Sequence, residues 1–403
     1  MDVKTVKPKI LVFTKLFWPE GGGAELATYL IVRDILSRYF DVTIVSGTRE
    51  PVVDVLKHVK YLHWEVLEAK FKPIEWLRVF ANSNYVKKLV EHVDVIYIPS
   101  HTLIPVSIIA KKVKSEVKVI LHLHNYQLLT YTSVVLTSRE PDVTTDIMVE
   151  RGEHSNVLRA ILAGLGHYLN YLNRYSLNYV DEVICVSKRQ CEIILKYIPG
   201  LKGKTTVVYN PPPSLPHIEK RLREEPVLIY AGGGSYVKGF HIVAKALTRI
   251  LKRHKCKVYV TYKHKTKTSQ KPLLERLSQR LDNKLRILNG LPHREYLRLH
   301  ESSWGLLFPS LWEEPLPYAV VEASLLRTIP IASRAGGIVE ILEKSPAEKY
   351  LFTPGDINEF INKLELLLSQ PRSHIEDIGA KLKEHVLKVL NPENIERKII
   401  NLL

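Results

Sequence analysis

The feature that most constrains the fold is a local pattern that occurs twice along the chain. The apolar run KILVFTK (9–15) leads into a glycine loop, GGGAE (21–25), and then into a helical pattern. Much later, PVLIYAGGG (226–234) leads into KGFHIVAKALTRILKRH (238–254) in the same order. A strand, a glycine turn and a helix form the opening of a βαβ unit, which builds parallel sheet. We therefore expect an α/β fold with two doubly wound, Rossmann-like domains.

Both halves continue with short apolar runs of the kind that a buried parallel sheet requires. They are 41–46, 94–99, 117–124, 181–187 and 205–210 in the first half, and 257–263, 284–290, 304–310 and 328–333 in the second. Helical patterns lie between them, notably over 103–113 and 155–179.

A proline-rich stretch separates the two halves. Four prolines fall within the first eight residues of 209–226, where neither a helix interior nor a strand interior accommodates them. We expect a first domain over 1–210, a linker over 211–226 and a second domain over 227–380. Helices over 381–403 would complete the chain and are candidates for packing back on the first domain. Ligands of such domains bind at the carboxyl ends of the strands, in a cleft between the facing domains.

Composition and charge limit the class of protein. A hydrophobic content of 45% supports globular cores, and no apolar run reaches the ~18 residues of a membrane-spanning helix. Three cysteines without a CxxC spacing, and a start without a signal-peptide pattern, favour a cytoplasmic protein. The net charge of +16 suits nucleic acid, an anionic membrane or a phosphorylated substrate as partner. The densest basic segment is 252–271, for which a solvated loop is the plainer interpretation.

Three glycine loops are candidate phosphate sites, because glycine lets a ligand approach the backbone and helix N-termini favour anions. The second loop also carries a lysine that could pair with a diphosphate. For each loop the alternative is an ordinary turn, with Glu25 as a first-turn acid in the first of them. The residues concerned are Gly22 and Gly23, then Gly233, Gly234 and Lys238, and then Gly336 and Gly337.

Carboxylates and histidines supply the remaining candidates. Glu314 precedes a proline in the loop after the 304–310 run, and Glu322 follows on the next helix. Both carboxylates could accept hydrogen bonds from sugar hydroxyls. Alternatively, Glu322 pairs with a neighbouring Arg or Lys, and Glu313 and Glu314 are exposed. His122 and His124 share one strand face. His122 is expected to be structural and His124 to face the cleft, and no further ligand completes a metal site.

In this order and at these spacings, the motifs resemble those of the retaining GT-B glycosyltransferases of family 4 (glycosyl transferases group 1), over nearly the whole chain. The resemblance has three departures: the arginine usual in the second glycine loop is missing, Asn125 follows the motif histidine, and Leu316–Pro317 replaces a phenylalanine-glycine pair. The matching elements are GGGAE, His124–Asn125, Asn210–Pro211, Lys238–Gly239, Glu314 with Glu322, and Gly336, Gly337 with Glu340.

The resemblance implies transfer of a sugar from a nucleotide-sugar donor to an acceptor hydroxyl, with retention at the anomeric carbon and without a metal or other cofactor. Lys238 and the glycine loops would bind the diphosphate, Glu322 the ribose, and Glu314 and His124 the donor sugar. A lipid-linked or glycan acceptor is favoured. The segment 66–90 mixes cations with Phe71, Trp76, Leu77 and Phe80, which suits peripheral contact with an anionic inner membrane face, or else an ordinary packed helix.

Two other classes stay open. One is a different GT-B enzyme, such as a nucleotide-sugar epimerase or a phosphorylase. The other is a polyanion or nucleic-acid binder that uses the basic surface, although the sequence shows no interleaved aromatic motif of the kind that binds RNA. We therefore expect no nucleic-acid partner.

Overall fold

The computed structural model describes residues 7–69, 71–262, 271–281 and 284–403. The chain divides into two compact units, each with one parallel sheet. The first unit comprises Met1–Ser133, Gly166–Pro211 and Asn391–Leu403, and the second comprises Val134–Leu165 and Pro212–Leu390. Residues 263–270 of the basic segment 252–271 lie outside the described residues.

The first unit is built on a seven-stranded, fully parallel sheet in the order β3-β2-β1-β4-β5-β6-β7. Its central strands are apolar on both faces because helices cover both sides. The strands are β1 Lys9–Thr14, β2 Asp41–Ser46, β3 Lys60–His63, β4 Val95–Ile98, β5 Lys118–Leu123, β6 Glu182–Cys185 and β7 Thr205–Val207.

Helices connect these strands. The first helix passes through a π-helical turn, Val32–Leu36, before its last residues. The helices along this part of the chain are α1 Gly23–Ile31, α2 Ser37–Tyr39, α3 Lys72–Ala81, α4 Ser83–Val90, α5 Val106–Val113, α6 Val143–His154, α7 Val157–His167, α8 Asn170–Ser176 and α9 Lys188–Tyr197.

The second unit is built on a six-stranded parallel sheet in the order β10-β9-β8-β11-β12-β13. Its strands are β8 Val227–Tyr230, β9 Lys257–Tyr262, β10 Leu285–Asn289, β11 Gly305–Phe308, β12 Ile329–Ser333 and β13 Leu351–Phe352. The remaining helices of the chain are α10 Phe240–Arg253, α11 Lys271–Arg280, α12 His293–Leu299, α13 Tyr318–Leu325, α14 Gly337–Leu342, α15 Ile357–Leu368, α16 Arg372–Val389 and α17 Pro392–Leu402.

The expected α/β class with two parallel sheets is therefore confirmed. In both sheets the strand order reverses direction next to the first strand, between β1 and β4 in one and between β8 and β11 in the other. Such a reversal opens a crevice at the carboxyl ends of the two strands, where α/β proteins bind their ligands. One element starts later than its motif suggested: α10 begins at Phe240, so Lys238 lies in the preceding loop.

Two segments group with the unit that is built mainly from the other half of the sequence. Val134–Leu165, which carries α6 and most of α7, groups with the second unit. Asn391–Leu403, which carries α17, groups with the first, where Arg38 and Tyr39 both contact the Glu396 carboxylate. The proline-rich stretch has no regular secondary structure, and Lys220 ties its end to the second unit through the carbonyl oxygens of His300 and Ser303.

Candidate functional site

The candidate site of the second unit lies at the carboxyl ends of β8 and β11, on either side of the strand-order reversal. The glycine loop 231–239 follows β8, and the loop 309–317 follows β11. The two loops are in close contact at Gly239. It has a φ of +73°, and a Cβ on it would lie 1.9 Å from the carbonyl oxygen of Pro309. Only glycine fits this approach without moving the backbone.

Lys238 and Glu314 form the ionic centre of this site. The lysine Nζ lies 2.5 Å from Glu314 Oε1, and the carboxylate is only 3% exposed. Ser310 Oγ and Trp312 Nε1 donate to the same oxygen, at 2.8 and 2.5 Å. Glu314 is therefore buried but well supplied with donors, as a buried charge must be.

Two aromatic rings flank the ammonium group of Lys238. Its Nζ lies 5.4 Å from the ring centroid of Phe308 and 5.0 Å from that of Trp312. Cations over aromatic faces are stabilised by the ring quadrupole. The lysine side chain is also about a third exposed. The site thus presents a fixed, partly accessible positive charge.

The loop that follows β12 is fitted against the Glu314 backbone. Gly337 N donates to the Glu314 carbonyl oxygen at 2.8 Å, and Gly336 N donates to Glu313 Oε2 at 2.7 Å. Gly336 has a φ of +55°, and a Cβ on it would lie 2.0 Å from the Glu314 carbonyl oxygen. Three loops at the carboxyl edge of one sheet therefore meet around Glu314.

Glu322 is buried on α13 and has a different partner. Its Oε1 lies 2.7 Å from Nε2 of His293, the first residue of α12. Among the described residues, the side-chain partner of Glu322 is therefore this histidine and not the Arg or Lys of the alternative interpretation. Tyr296 stacks beside His293 with 6.2 Å between ring centroids.

Comparison with known proteins bears on both units. The family described as Glycosyltransferase Family 4 matches residues 21–212, and the family described as Glycosyl transferases group 1 matches residues 215–385. The two matches follow one another along the chain. The protein belongs to the GT-B glycosyltransferases of family 4.

Solved structures agree on the fold. The HepE protein of Anabaena in complex with UDP-glucose has a TM-score of 0.69 at 17% identity, covering 98% of each chain. Sucrose-phosphate synthase of Thermosynechococcus elongatus has a TM-score of 0.75 at 16% identity, also over 98% of each chain. The lipopolysaccharide outer core galactosyltransferase WaaB has a TM-score of 0.64 at 16% identity, over 98% of this chain and 100% of that one. Among curated proteins, none matches the sequence.

In this family 4 protein, His124 lies in the first unit, just after β5. Its ring stacks on His122 with 4.5 Å between centroids, and His122 Nδ1 lies 2.5 Å from the Tyr97 hydroxyl. Burial lowers the pKa of His124 from 6.5 to about 4, so the ring is neutral at pH 7. Within the described part of the chain, Nε2 of His124 has no hydrogen-bond partner.

The first glycine loop behaves as its plainer interpretation expected. Glu25 Oε2 accepts a hydrogen bond from Gly22 N at 2.7 Å, which caps the start of α1 with a first-turn acid. A ligand at Gly22 and Gly23 would therefore compete with Glu25 for that N–H group.

Several residues of the second-unit site were not predicted from the sequence. Ser310, Trp312 and Glu313 surround the predicted Glu314, and His293 holds Glu322. The first three are neighbours of a motif residue, so their proximity was a usable signal. His293 is distant in sequence, and nothing in its local pattern marks it.

The segment Val134–Leu165 also contacts the site loops, and the sequence did not predict this support. Leu136 forms an antiparallel bridge with Trp312, and Glu313 N donates to the Val135 carbonyl oxygen at 2.8 Å. On α6, Glu153 Oε1 accepts from Ser235 Oγ at 2.7 Å and from Val237 N at 3.0 Å. This segment therefore supports both the glycine loop and the Glu314 loop from the side.

Two properties concern metals and membranes. Among the described residues, no three His, Cys, Asp or Glu side chains gather in a way that could hold a metal ion. Within the same residues, no helix combines the length and the apolar character needed to cross a bilayer.

Proposed function

We propose that this chain is a retaining glycosyltransferase that moves a sugar from a nucleoside-diphosphate sugar to an acceptor hydroxyl. The observation that carries the proposal is the ion pair of Lys238 and Glu314 at the strand-order reversal, between two glycine loops. The HepE protein, a structural neighbour, was solved with UDP-glucose, which supports the donor class.

Lys238 is assigned to the leaving diphosphate. Breaking the bond between sugar and phosphate builds negative charge on the diphosphate, and a preorganised cation lowers the energy of that transition state. One of the three ammonium donors already points at Glu314, and the partial exposure of the side chain leaves an approach for an anion. The backbone at Gly233 and Gly234 is assigned to the rest of the diphosphate. A donor at Gly336 and Gly337 would compete with the Glu313 carboxylate and the Glu314 carbonyl oxygen for their N–H groups.

The carboxylates are assigned to bind hydroxyl groups of the donor and to stabilise positive charge on its sugar. Glu314 would stabilise the cationic anomeric centre or accept from a sugar hydroxyl. Glu322 would accept from the nucleotide ribose, with His293 holding its other side. His124, being neutral, could donate or accept a hydrogen bond at a donor hydroxyl. We expect a front-face reaction, and no metal is assigned because Lys238 and backbone dipoles carry the phosphate charge.

The test is sugar transfer, or slow donor hydrolysis, by wild type, Lys238→Met and Glu322→Gln. We expect each variant to lose at least about a hundredfold in kcat/KM, a barrier change of about 2.7 kcal/mol. Lys245→Met is the matched control, since Lys245 is an exposed lysine on α10. Product anomers identified by NMR would report retention.

Activity within about threefold of wild type in both site variants, or an inverted product, would contradict the assignment. Conversion of a nucleotide sugar alone into its epimer would favour the epimerase alternative. Activity that survives a chelator is expected, and its loss with recovery on adding Mg²⁺ would reject the metal-free assignment.

For the acceptor, we propose a lipid-linked or glycan hydroxyl presented at an anionic inner membrane face. Of the aromatic and aliphatic residues predicted for this surface, Phe71 and Leu77 are 63% and 71% exposed. Trp76 is instead a core residue whose Nε1 donates to the Thr102 carbonyl oxygen at 2.7 Å, and Phe80 is half-buried. The exposed pair supports membrane contact at α3.

A further inference from the structure

Helix α7 carries its large apolar side chains on the outside. Between Val157 and Leu165 its exposed residues are five aliphatic side chains and Arg159, whereas Ala160, Ala163 and Gly164 face inward. The five are each 50% to 67% exposed: Val157, Leu158, Ile161, Leu162 and Leu165. In the surface helix of a globular protein the large apolar side chains normally face the core, so this arrangement is inverted.

The sequence explains why the helix lies this way round. Ser155 ends α6 in a left-handed conformation, and Asn156 Oδ1 accepts from Arg159 N at 3.0 Å, which starts α7 after a tight turn. A Cβ on Gly164 would lie 2.8 Å from Ile147 Cγ1, so only a small residue lets α7 approach α6. Small residues thus fix the inner face, and the leucines point outward.

The charged groups beside this face carry both signs, with Arg151 and Arg159 exposed near the start of α7 and Asp142 exposed at the start of α6. Glu150 is occupied by Arg159 at 2.7 Å, and Glu153 accepts from the loop that contains Lys238. Arg151 is exposed next to the face, and the chain as a whole carries a net charge of +16. Two copies of so basic a chain repel each other, whereas an anionic bilayer attracts one.

We infer that the outer face of α7 is an interfacial anchor that inserts its five aliphatic side chains into an anionic lipid bilayer. Apolar patches of this kind mark interaction surfaces, and a helix with one apolar face and flanking cations can lie in the headgroup region. Its residues are different from those proposed for membrane contact at α3. It rests on the membrane clause of the proposed function and not on sugar transfer.

The test uses the full chain and vesicles made of equal parts phosphatidylcholine and phosphatidylglycerol, without any nucleotide. We expect the wild type to sediment with these vesicles, and Ile161→Glu/Leu162→Glu to lose roughly tenfold or more in partition coefficient. The matched control is Leu366→Glu/Leu387→Glu, which places the same charges at exposed leucines on α15 and α16 and should bind as the wild type does apart from a small electrostatic loss.

A second variant reports insertion directly. In Leu162→Trp the new indole should shift its emission to shorter wavelength with vesicles and be quenched by brominated lipid, relative to the wild type. Wild-type binding by Ile161→Glu/Leu162→Glu, an unshifted indole in Leu162→Trp, or an equal loss in the control would overturn the inference. So would a dimeric wild type that Ile161→Glu/Leu162→Glu converts to monomers, because the face would then join two copies. A chain that binds vesicles but transfers no sugar would refute only the proposed function.

Discussion

At the residue scale, the glycine motifs are explained by packing as much as by any ligand. Gly239 and Gly336 both have positive φ, and both lie where a Cβ would meet a backbone carbonyl oxygen of the neighbouring site loop. Sequence patterns identify such glycines without saying what approaches them. The backbone that approaches Gly336 is that of Glu314, so the glycine positions a site residue even before a ligand is considered.

Gly336→Ala should therefore disturb both stability and the site. We expect at least about 2 kcal/mol lower free energy of unfolding, from the strained φ and the contact with the Glu314 carbonyl oxygen. Denaturant unfolding measures this, with Gly203→Ala as control because a Cβ there would meet nothing within 4 Å. Equal stability of the two variants would show that the loop can shift at no cost.

The hydrogen-bond partners of the site residues were harder to predict than the site residues themselves. Glu314 and Glu322 were predicted from their spacing, and both are buried at the expected edge. Their partners Trp312 and His293 depend on side-chain directions and on the distance between α12 and α13. Local periodicity contains neither.

At the element scale, most strands were predicted from their apolar runs, and the two strands that were missed both lie at sheet edges. β2 covers the predicted 41–46, whereas β3 and β13 were missed. β3 is an edge strand with a half-exposed pattern, and β13 has two residues, so neither gives a periodic signal. In α7, apolar spacing that would ordinarily indicate a buried face belongs to an exposed one.

The support that α6 gives to the glycine loop is also an element-scale property. Glu153→Ala removes the acceptor for Ser235 Oγ and Val237 N, and Ser235 Oγ lies 3.3 Å from Lys238 N. We expect donor affinity to fall about two- to tenfold, the value of one or two hydrogen bonds.

Glu153→Gln keeps an acceptor and should restore affinity. Glu150→Ala on the same helix serves as the control, and titration calorimetry with the donor measures all three. Unchanged affinity in Glu153→Ala would mean that α6 does not hold the loop.

At the scale of the whole molecule, two parallel-sheet domains followed from the repeated strand, glycine loop and helix. What did not follow was the membership of Val134–Leu165 in the second unit. From the sequence alone, a segment is expected to pack with the elements that precede and follow it in the chain. Leu136 instead pairs with Trp312, a contact that depends on tertiary packing alone.

The central claim is that Lys238, Glu314 and Glu322 belong to one binding site for a nucleoside-diphosphate sugar. Thermal unfolding of the wild type and of Lys238→Met against UDP-, GDP- and ADP-sugars tests it most directly, because a ligand that binds only the folded state raises Tm. At about a hundred times its Kd a donor adds about 2.7 kcal/mol to the free energy of unfolding. We predict that at least one donor raises Tm of the wild type and that Lys238→Met loses most of this rise. A wild type that no donor stabilises, or a variant that responds equally, would contradict the account.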